Sequence, residues 1–378
     1  MSVYARRREK VYSYMEEAGI DLFMIEDTEG RRSPNLRYLS GHPADALLFL
    51  SRGKSFLFPW DAPLAESYAD ADEVLPYNDY GRRPPGAIRE VLKAAASPGA
   101  DIRFALGSAT PYPMVIKLRE ELKNDFPRLS IVCGEDGPDA FIKKLRRVKD
   151  KDEIKKLRKA AEILNALLEG IEEGIGAGGL ESETDLALYI ERRCRGLGAE
   201  GTSFPTLAAG PARSFGIHAF PGYTAGSFVA PGLSILDFGV SCEGYAGDVT
   251  LTLVTGKPSP RQSLMISLVE EAYHAAMELC RPGMSTLKIA RAVEEVFARQ
   301  KMLMPHGLGH GLGLEVHEEP YLRASPDTQA ILEPGMIFTV EPGLYDPRAG
   351  GVRWENDVLI TETGSEVLTR SKILYRDV

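Results

Sequence analysis

Five residues able to hold divalent cations, Asp237, Asp248, His310, Glu341 and Glu355, fall in that order on three glycine-rich segments. The segments read LDFGVSCEGYAGDVT, HGLGHGLGLEVHEEP and FTVEPGLYDPRAGGVRWENDVLI. Four carboxylates and one imidazole are the donors that two hard-to-borderline divalent cations sharing one hydroxide require. The set points to metal-assisted hydrolysis. Asp237 and Asp248 are eleven apart across an expected hairpin and are embedded in apolar strand. An Asp pair in a hairpin is commonly turn chemistry, but a carboxylate in apolar surroundings needs a counter-charge, and a metal supplies one. Glu341 ends an apolar strand before Pro-Gly, and Glu355 is expected mid-strand. For both glutamates the ordinary alternative is a salt bridge, with Arg353 as an available partner.

His306 and His310 are four apart, a spacing that on a helix would put both rings on one face. Gly307, Gly309, Gly311 and Gly313 argue instead for a strand or loop with close backbone approach. No Lys-Ser or Lys-Thr follows, so this is not a phosphate-binding loop. Three of the six histidines fall between 306 and 317, which favours function there. His274 reads as a helix surface residue, and His42, in an expected turn, has no assigned role. The Asp-Phe-Gly at 237–239 has none of the other kinase signatures around it.

These residues need a scaffold. At 378 residues the chain is long enough for two domains with a large core. A net charge of −9 with no basic stripe argues against a nucleic-acid partner. Cys133, Cys194, Cys242 and Cys280 are far apart, as free thiols in a reducing compartment would be. No apolar run approaches membrane-spanning length and no secretory leader is evident. A cytoplasmic protein without a membrane partner is expected.

The first part reads as mixed α/β, with helices over Tyr4–Gly19, Pro84–Ala96 and Met114–Asp125 and strands near Asp21, Ala46, Ser55 and Ile131. A composition break at Gly134–Pro138 leads to a basic run, Lys143 to Lys159, that continues as one long amphipathic helix to about Glu173 with its cations solvated. Domains are expected over 1–140 and 151–378. Further helices are predicted over Glu183–Leu197, Ser259–Cys280 and Leu287–Gln300. Ser234–Val240 with Val249–Val254, and Met336–Glu341 with Arg353–Ile360, read as strand pairs.

With these segments in view, the chain resembles the pita-bread metallopeptidases: Xaa-Pro dipeptidase (prolidase), aminopeptidase P, methionine aminopeptidase and creatinase. The ordered Asp, Asp, His, Glu, Glu set carries the resemblance over roughly 150–365, and NLRYLSG at 35–41 is similar to the family's N-terminal domain turn. The resemblance implies an α+β fold: a pita-bread C-terminal domain preceded by a smaller creatinase-type α/β domain. It implies two divalent ions (manganese, cobalt or zinc), bridged by Asp248 and Glu355, with Asp237 chelating one and His310 and Glu341 completing the second. It places His218 over the substrate, His317 beside the scissile carbonyl, His306 near the metals and Arg353 ahead of the last ligand, with Glu341 taking the proton of the attacking water. Two departures stand out. Asn356 replaces the family's common Asp, and Tyr321 stands where prolidases often have Arg, leaving Arg323, Arg353 or an N-terminal domain loop near His42 as candidates for a substrate carboxylate. The implied activity is cleavage of Xaa-Pro dipeptides, in a homodimer. Aminopeptidase P activity on longer peptides, a creatinase-like C–N hydrolase and a noncatalytic binding protein are the alternatives.

Overall fold

A computed structural model describes residues 1–95, 100–134 and 136–377. Ala96, at the end of one expected helix, and Glu135, in the composition break, lie outside the described residues. The chain divides into two compact units, Met1–Leu145 and Arg146–Val378. Among the described residues no helix is long and apolar enough to cross a membrane.

The first unit contains α1 (Val3–Glu17), β1 (Leu22–Asp27), α2 (Pro34–Ser40), β2 (Ala46–Ser51), β3 (Lys54–Pro59), α3 (Ala62–Tyr68), β4 (Glu73–Val74), α4 (Pro84–Ala95), β5 (Ile102–Leu106), α5 (Tyr112–Leu122) and β6 (Leu129–Val132). The helix α6 (Pro138–Arg147) runs across the division between the units. Its six strands lie in the order β4-β3-β2-β1-β5-β6. Met24, Phe49, Phe58 and Phe104 meet Ile88, Val91 and Leu118 in its core. Two expectations need correction. Asn35–Gly41 is not a turn but most of helix α2, begun by Pro34 at its first turn and stopped by Gly41 at φ 74°. Strand β5 was not foreseen, because Arg103 breaks the apolar run IRFAL. His42, just past that helix stop, is buried.

The second unit opens with α7 (Lys151–Gly176) and α8 (Glu183–Gly196), followed by β7 (Gly201–Thr202), β8 (Leu207–Ala209), β9 (Gly232–Cys242) and β10 (Tyr245–Thr255). Then come α9 (Pro260–Leu279), α10 (Thr286–Ala298), β11 (Gly309–Gly311), β12 (Glu318–Leu322), β13 (Ile337–Val340), β14 (Gly343–Asp346), β15 (Gly350–Arg353), β16 (Asn356–Ile360), β17 (Ser365–Val367) and β18 (Ile373–Arg376). The sheets run β18-β10-β9-β7, with β8 also on β9, and β12-β11-β13-β16-β17.

The expected single helix from Lys143 is two helices. A capping box at Asp150 and Glu153 starts α7 afresh. Nor are all the cations of that run solvated, since Arg146 and Lys149 are buried.

Hairpin β9–β10 turns at Glu243 and Gly244, with φ of 51° and 84°, the positive pair that matches strand twist in a two-residue connection. Its register pairs Asp237 with Thr250 and Gly239 with Asp248. Cross-strand partners share a face, so Asp237, Asp248 and Thr250 project to one side. Leu236, Phe238, Val249 and Leu251 project to the other, onto Leu164, Leu167 and Ile171 of α7. Each fully buried side chain of this kind contributes roughly 1.5–3 kcal/mol. A one-residue slip would drive the carboxylates into that core, so burial fixes the register and with it the ligand positions. Helices α9 and α10 cover the second sheet, where Val269, Ile289 and Val293 cluster with Phe338, Val340 and Val358.

The glycines of the histidine segment have a packing role. A Cβ on Gly309 would lie 2.0 Å from the Thr339 carbonyl oxygen. Gly309→Ala should therefore destabilise by about 1–3 kcal/mol through overpacking and weaken divalent-metal binding by displacing the adjacent His310. Gly364→Ala, where a Cβ meets nothing within 4 Å, should stay within about 0.5 kcal/mol. Thermal melts and metal titrations of both variants check this; equal behaviour of the two would disprove it.

Candidate metal centre

Three separate stretches of backbone deliver the five sequence-derived ligands to one place. Asp237 comes from β9, Asp248 from β10 and His310 from the middle of β11. Glu341 directly follows β13, and Glu355 lies between β15 and β16 in an isolated bridge to Thr250, not mid-strand as expected. Ligating atoms of Asp248, His310 and Glu355 all lie within 4.8 Å of one another. His310 Nε2 is 3.7 Å from Asp248 Oδ2 and 3.5 Å from Glu341 Oε1.

The imidazole is oriented by its other nitrogen. His310 Nδ1 lies 3.2 Å from the Gly311 carbonyl, which can only accept, so Nδ1 carries the proton and the Nε2 lone pair faces the carboxylates. Burial, reinforced by nearby His317, lowers the pKa of His310 to about 3, which keeps the ring neutral and able to ligate. Thr339 Oγ1 accepts from the His310 backbone N–H at 3.2 Å and donates to Glu341 at 3.5 Å. Thr250 Oγ1 donates to Glu355 Oε2 at 2.6 Å.

Among the described residues, Asp237 alone of the four carboxylates accepts a hydrogen bond from a cationic side chain, that of Arg353. Burial, then the negative charges of Glu355 and Asp237, hold Asp248 well above the usual carboxylate range. Glu355 is raised by burial and then by Glu341 and Asp237. Burial pushes Glu341 up to about 7. One oxygen each of Asp237 and Asp248 is buried without a hydrogen-bond partner. Orphaned oxygens and mutually repelling acids around a neutral imidazole are what a divalent cation would satisfy. The residues present fit a metal.

Arg353 does not pair by hydrogen bond with Glu355. Its Nη2 donates to Asp237 Oδ2 at 2.5 Å, Nε to Thr250 Oγ1 at 3.0 Å and Nη1 to the Tyr345 hydroxyl at 2.7 Å. Tyr345 donates in turn to His306 Nε2 at 3.0 Å, while His306 Nδ1 lies 2.8 Å from the Gly307 carbonyl. Arg353, Tyr345 and His306 thus form one directional chain, in which His306 orients the phenol. Burial lowers His306 to about 4 and raises Tyr345 to about 12, so both stay neutral.

His317 is exposed on the cavity wall, its ring centroid 4.1 Å from that of His310. His218, Arg323 and all five ligands line the same cavity of about 760 Å³. Its apolar lining includes Phe204, Pro205, Leu207 and Ile217. Tyr321 and Arg323 also line it, and the Arg323 guanidinium lies 5.0 Å over the Tyr321 ring. Sequence reading missed Tyr345, Thr250, Thr339 and the buried Asp357, whose carboxylate accepts from the Asp248 backbone N–H at 3.3 Å. Thr250 was findable, being two residues from Asp248 on the same strand face. Tyr345 was not, since its partners come from residues 306 and 353.

The family model for metallopeptidase family M24 matches residues 155–362, more than half of the chain, and the creatinase/prolidase N-terminal domain model matches 7–134. The Xaa-Pro dipeptidase of Pyrococcus furiosus is 31% identical over 376 residues, covering 97% of this chain and 98% of that protein. The crystal structure of the prolidase from Pyrococcus horikoshii superposes with a TM-score of 0.82 at 27% identity, covering 97% of this chain and 99% of that one. The X-Pro aminopeptidase from Thermotoga maritima gives 0.80, also at 27%, covering 95% and 98%.

A carboxyl whose pKa is raised on folding holds its proton more tightly when folded, so the stability it brings is lost as pH rises from the unfolded value through the folded one. With Glu341 at about 7 and Asp248 and Glu355 also raised, metal-free protein should lose stability from about pH 4.5 upward through about 7. Divalent cation at about a thousandfold over its Kd should restore about 4 kcal/mol. Melts of chelator-treated protein at about pH 5 and about pH 7.5, with and without manganese, test this. A pH-independent metal-free Tm that manganese does not move would contradict it.

Proposed function

The chain belongs to metallopeptidase family M24, with a creatinase/prolidase N-terminal domain ahead of a pita-bread catalytic domain, and from that membership we propose that it is an Xaa-Pro dipeptidase. The observation that carries the reading is the convergence of four carboxylates and a neutral imidazole in a cavity large enough for a small peptide. The proposal includes two divalent ions, manganese, cobalt or zinc, held by Asp237, Asp248, His310, Glu341 and Glu355. It also includes a cytoplasmic homodimer as the working form. When bound, such ions polarise the scissile carbonyl and acidify water.

The chain's own residues do the rest. Glu341 takes a proton from the attacking water and returns it to the imide nitrogen, which leaves as a secondary amine and must be protonated. His317 donates to the carbonyl oxygen as negative charge develops, and His218, on its own loop, orients the substrate. Arg353 fixes Asp237 and presents the Tyr345 hydroxyl, so its contribution is to hold the site in register. The apolar lining of Phe204, Pro205 and Leu207 favours a ring over a polar side chain.

Arg323 supports a dipeptide over a longer substrate. It has no carboxylate partner among the described residues and faces the cavity, where a free C-terminal carboxylate would neutralise it. Xaa-Pro dipeptides should be cleaved much faster than Xaa-Pro-Xaa tripeptides, and Arg323→Ala should raise KM for the dipeptide while leaving kcat near wild type. Equal or better cleavage of tripeptides would move the protein to aminopeptidase P activity.

His218 and His317 should separate catalysis from metal binding. Replacing either with Ala should lower kcat about 10²–10³-fold, the cost of one transition-state hydrogen bond, with bound metal unchanged. His310→Ala should lose metal as well. Elemental analysis beside steady-state kinetics reads both; near-wild-type kcat in either non-ligand variant removes that histidine from the mechanism.

A further inference from the structure

His317 borders two cavities. It lines the main cavity and also a second one of about 490 Å³ that Thr202, Ser203 and Ser241 line. An exposed side chain that borders open volume lacks the interlocked packing that fixes a core residue. Something else must hold it in place.

The flanking residues supply that hold. The segment Glu315-Val316-His317-Glu318-Glu319 faces the short run Arg146-Arg147-Val148-Lys149, which ends α6 and leads toward α7. All three cations of that run pair with the three acids. Arg146 Nη2 donates to Glu315 at 2.8 Å and also to Glu318; Arg147 donates to Glu319; Lys149 Nζ donates to Glu318 Oε1 at 2.9 Å. Arg146, Lys149 and Glu318 are buried. Burial alone would push the Glu318 carboxyl up, but Lys149 and Arg146 hold it below its ordinary value, so it stays ionised. Gly313 opens the room: a Cβ there would lie 2.2 Å from Glu318 Oε1. The Lys149 backbone N–H is itself tied to the Gly335 carbonyl at 3.0 Å.

We propose that Glu318, clamped by Arg146 and Lys149, is a positioning residue that sets the place of the adjacent His317 on the cavity wall. This rests on the reading that His317 contacts the reacting carbonyl. The clamp forms no contact with substrate. It acts through one peptide bond, at the start of β12, where Glu318 pairs with Gly311 of β11 beside a register shift at His310 and Gly311. Fixed charges with several hydrogen bonds each suit this role, because a buried pair broken on one side is costly and so resists displacement.

The test is a double-mutant cycle. Glu318→Gln alone would leave Lys149 buried beside a weaker partner and endanger folding. The pair Lys149→Met with Glu318→Gln removes both charges together, an exchange that buried ion pairs often tolerate. Glu318→Asp keeps every charge and shortens the reach by one methylene. Each is made in the wild-type and His317→Ala backgrounds, and kcat and KM on an Xaa-Pro dipeptide, Tm and bound manganese are measured. Misplacement of His317 should lower kcat about 10- to 100-fold in the paired variant, and less in Glu318→Asp. KM should stay within about twofold and manganese content unchanged. In the His317→Ala background neither change should lower kcat further. Losses of equal size in both backgrounds, or wild-type kcat in both clamp variants, would overturn the positioning role. Full activity in His317→Ala itself would instead bring down the assignment of His317, and the clamp with it.

Discussion

The governing constraint is electrostatic. Four carboxylates line one cavity with a neutral imidazole, and among the described residues no basic side chain other than Arg353 hydrogen-bonds any of them. A cluster of this kind opposes its own folding unless a cation compensates it, because each acid raises the pKa of the next. Every nearby device serves to keep those acids together. The β9–β10 register turns Asp237 and Asp248 away from the α7 core, and Thr250, Thr339 and Arg353 hold ligand oxygens in fixed directions. The helices bury the opposite faces of the strands, so the ligands cannot retreat without exposing Phe238 or Leu251.

Two kinds of hold surround the centre, and they differ in what they resist. The ligands are placed by backbone pairing and close glycine contacts such as Gly309 on Thr339. The non-ligand histidines stand on loops. His218 belongs to a segment tied down by Glu183, which accepts from Arg213, Thr224 and the Gly210 N–H. His317 belongs to one tied by Glu318. Loops carry the groups that must meet a variable substrate, and charged anchors give them fixed positions without filling the cavity.

Much of this was legible in the sequence because the ligands are short-range features. An Asp inside an apolar run, or a histidine amid alternating glycines, departs from the pattern of its own neighbourhood. The strand pairing of Met336–Glu341 with Arg353–Ile360 was legible for the same reason, and β13 and β16 do pair. What failed depended on distant partners. Arg146 and Lys149 read as solvated cations because helical periodicity says nothing of Glu318, about 170 positions away. Glu355 read as mid-strand because its bridge to Thr250 is a single tertiary contact. Helix α2 was hidden by a seven-residue length that ends at a glycine.

The discontinuity of the centre also orders events in time. During synthesis Asp237 and Asp248 emerge together on one hairpin, but Glu355 follows only after α9, α10 and the second sheet. At about 5–20 residues per second, the hairpin waits on the order of ten seconds with its acids lacking His310, Glu341 and Glu355. Strand β10 also stays an open edge until β18 arrives beside it. The nascent hairpin is therefore both weakly chelating and exposed to wrong pairing. The full donor set exists only once Glu355 has left the ribosome, so a cation that needs all five donors has no complete site before that point.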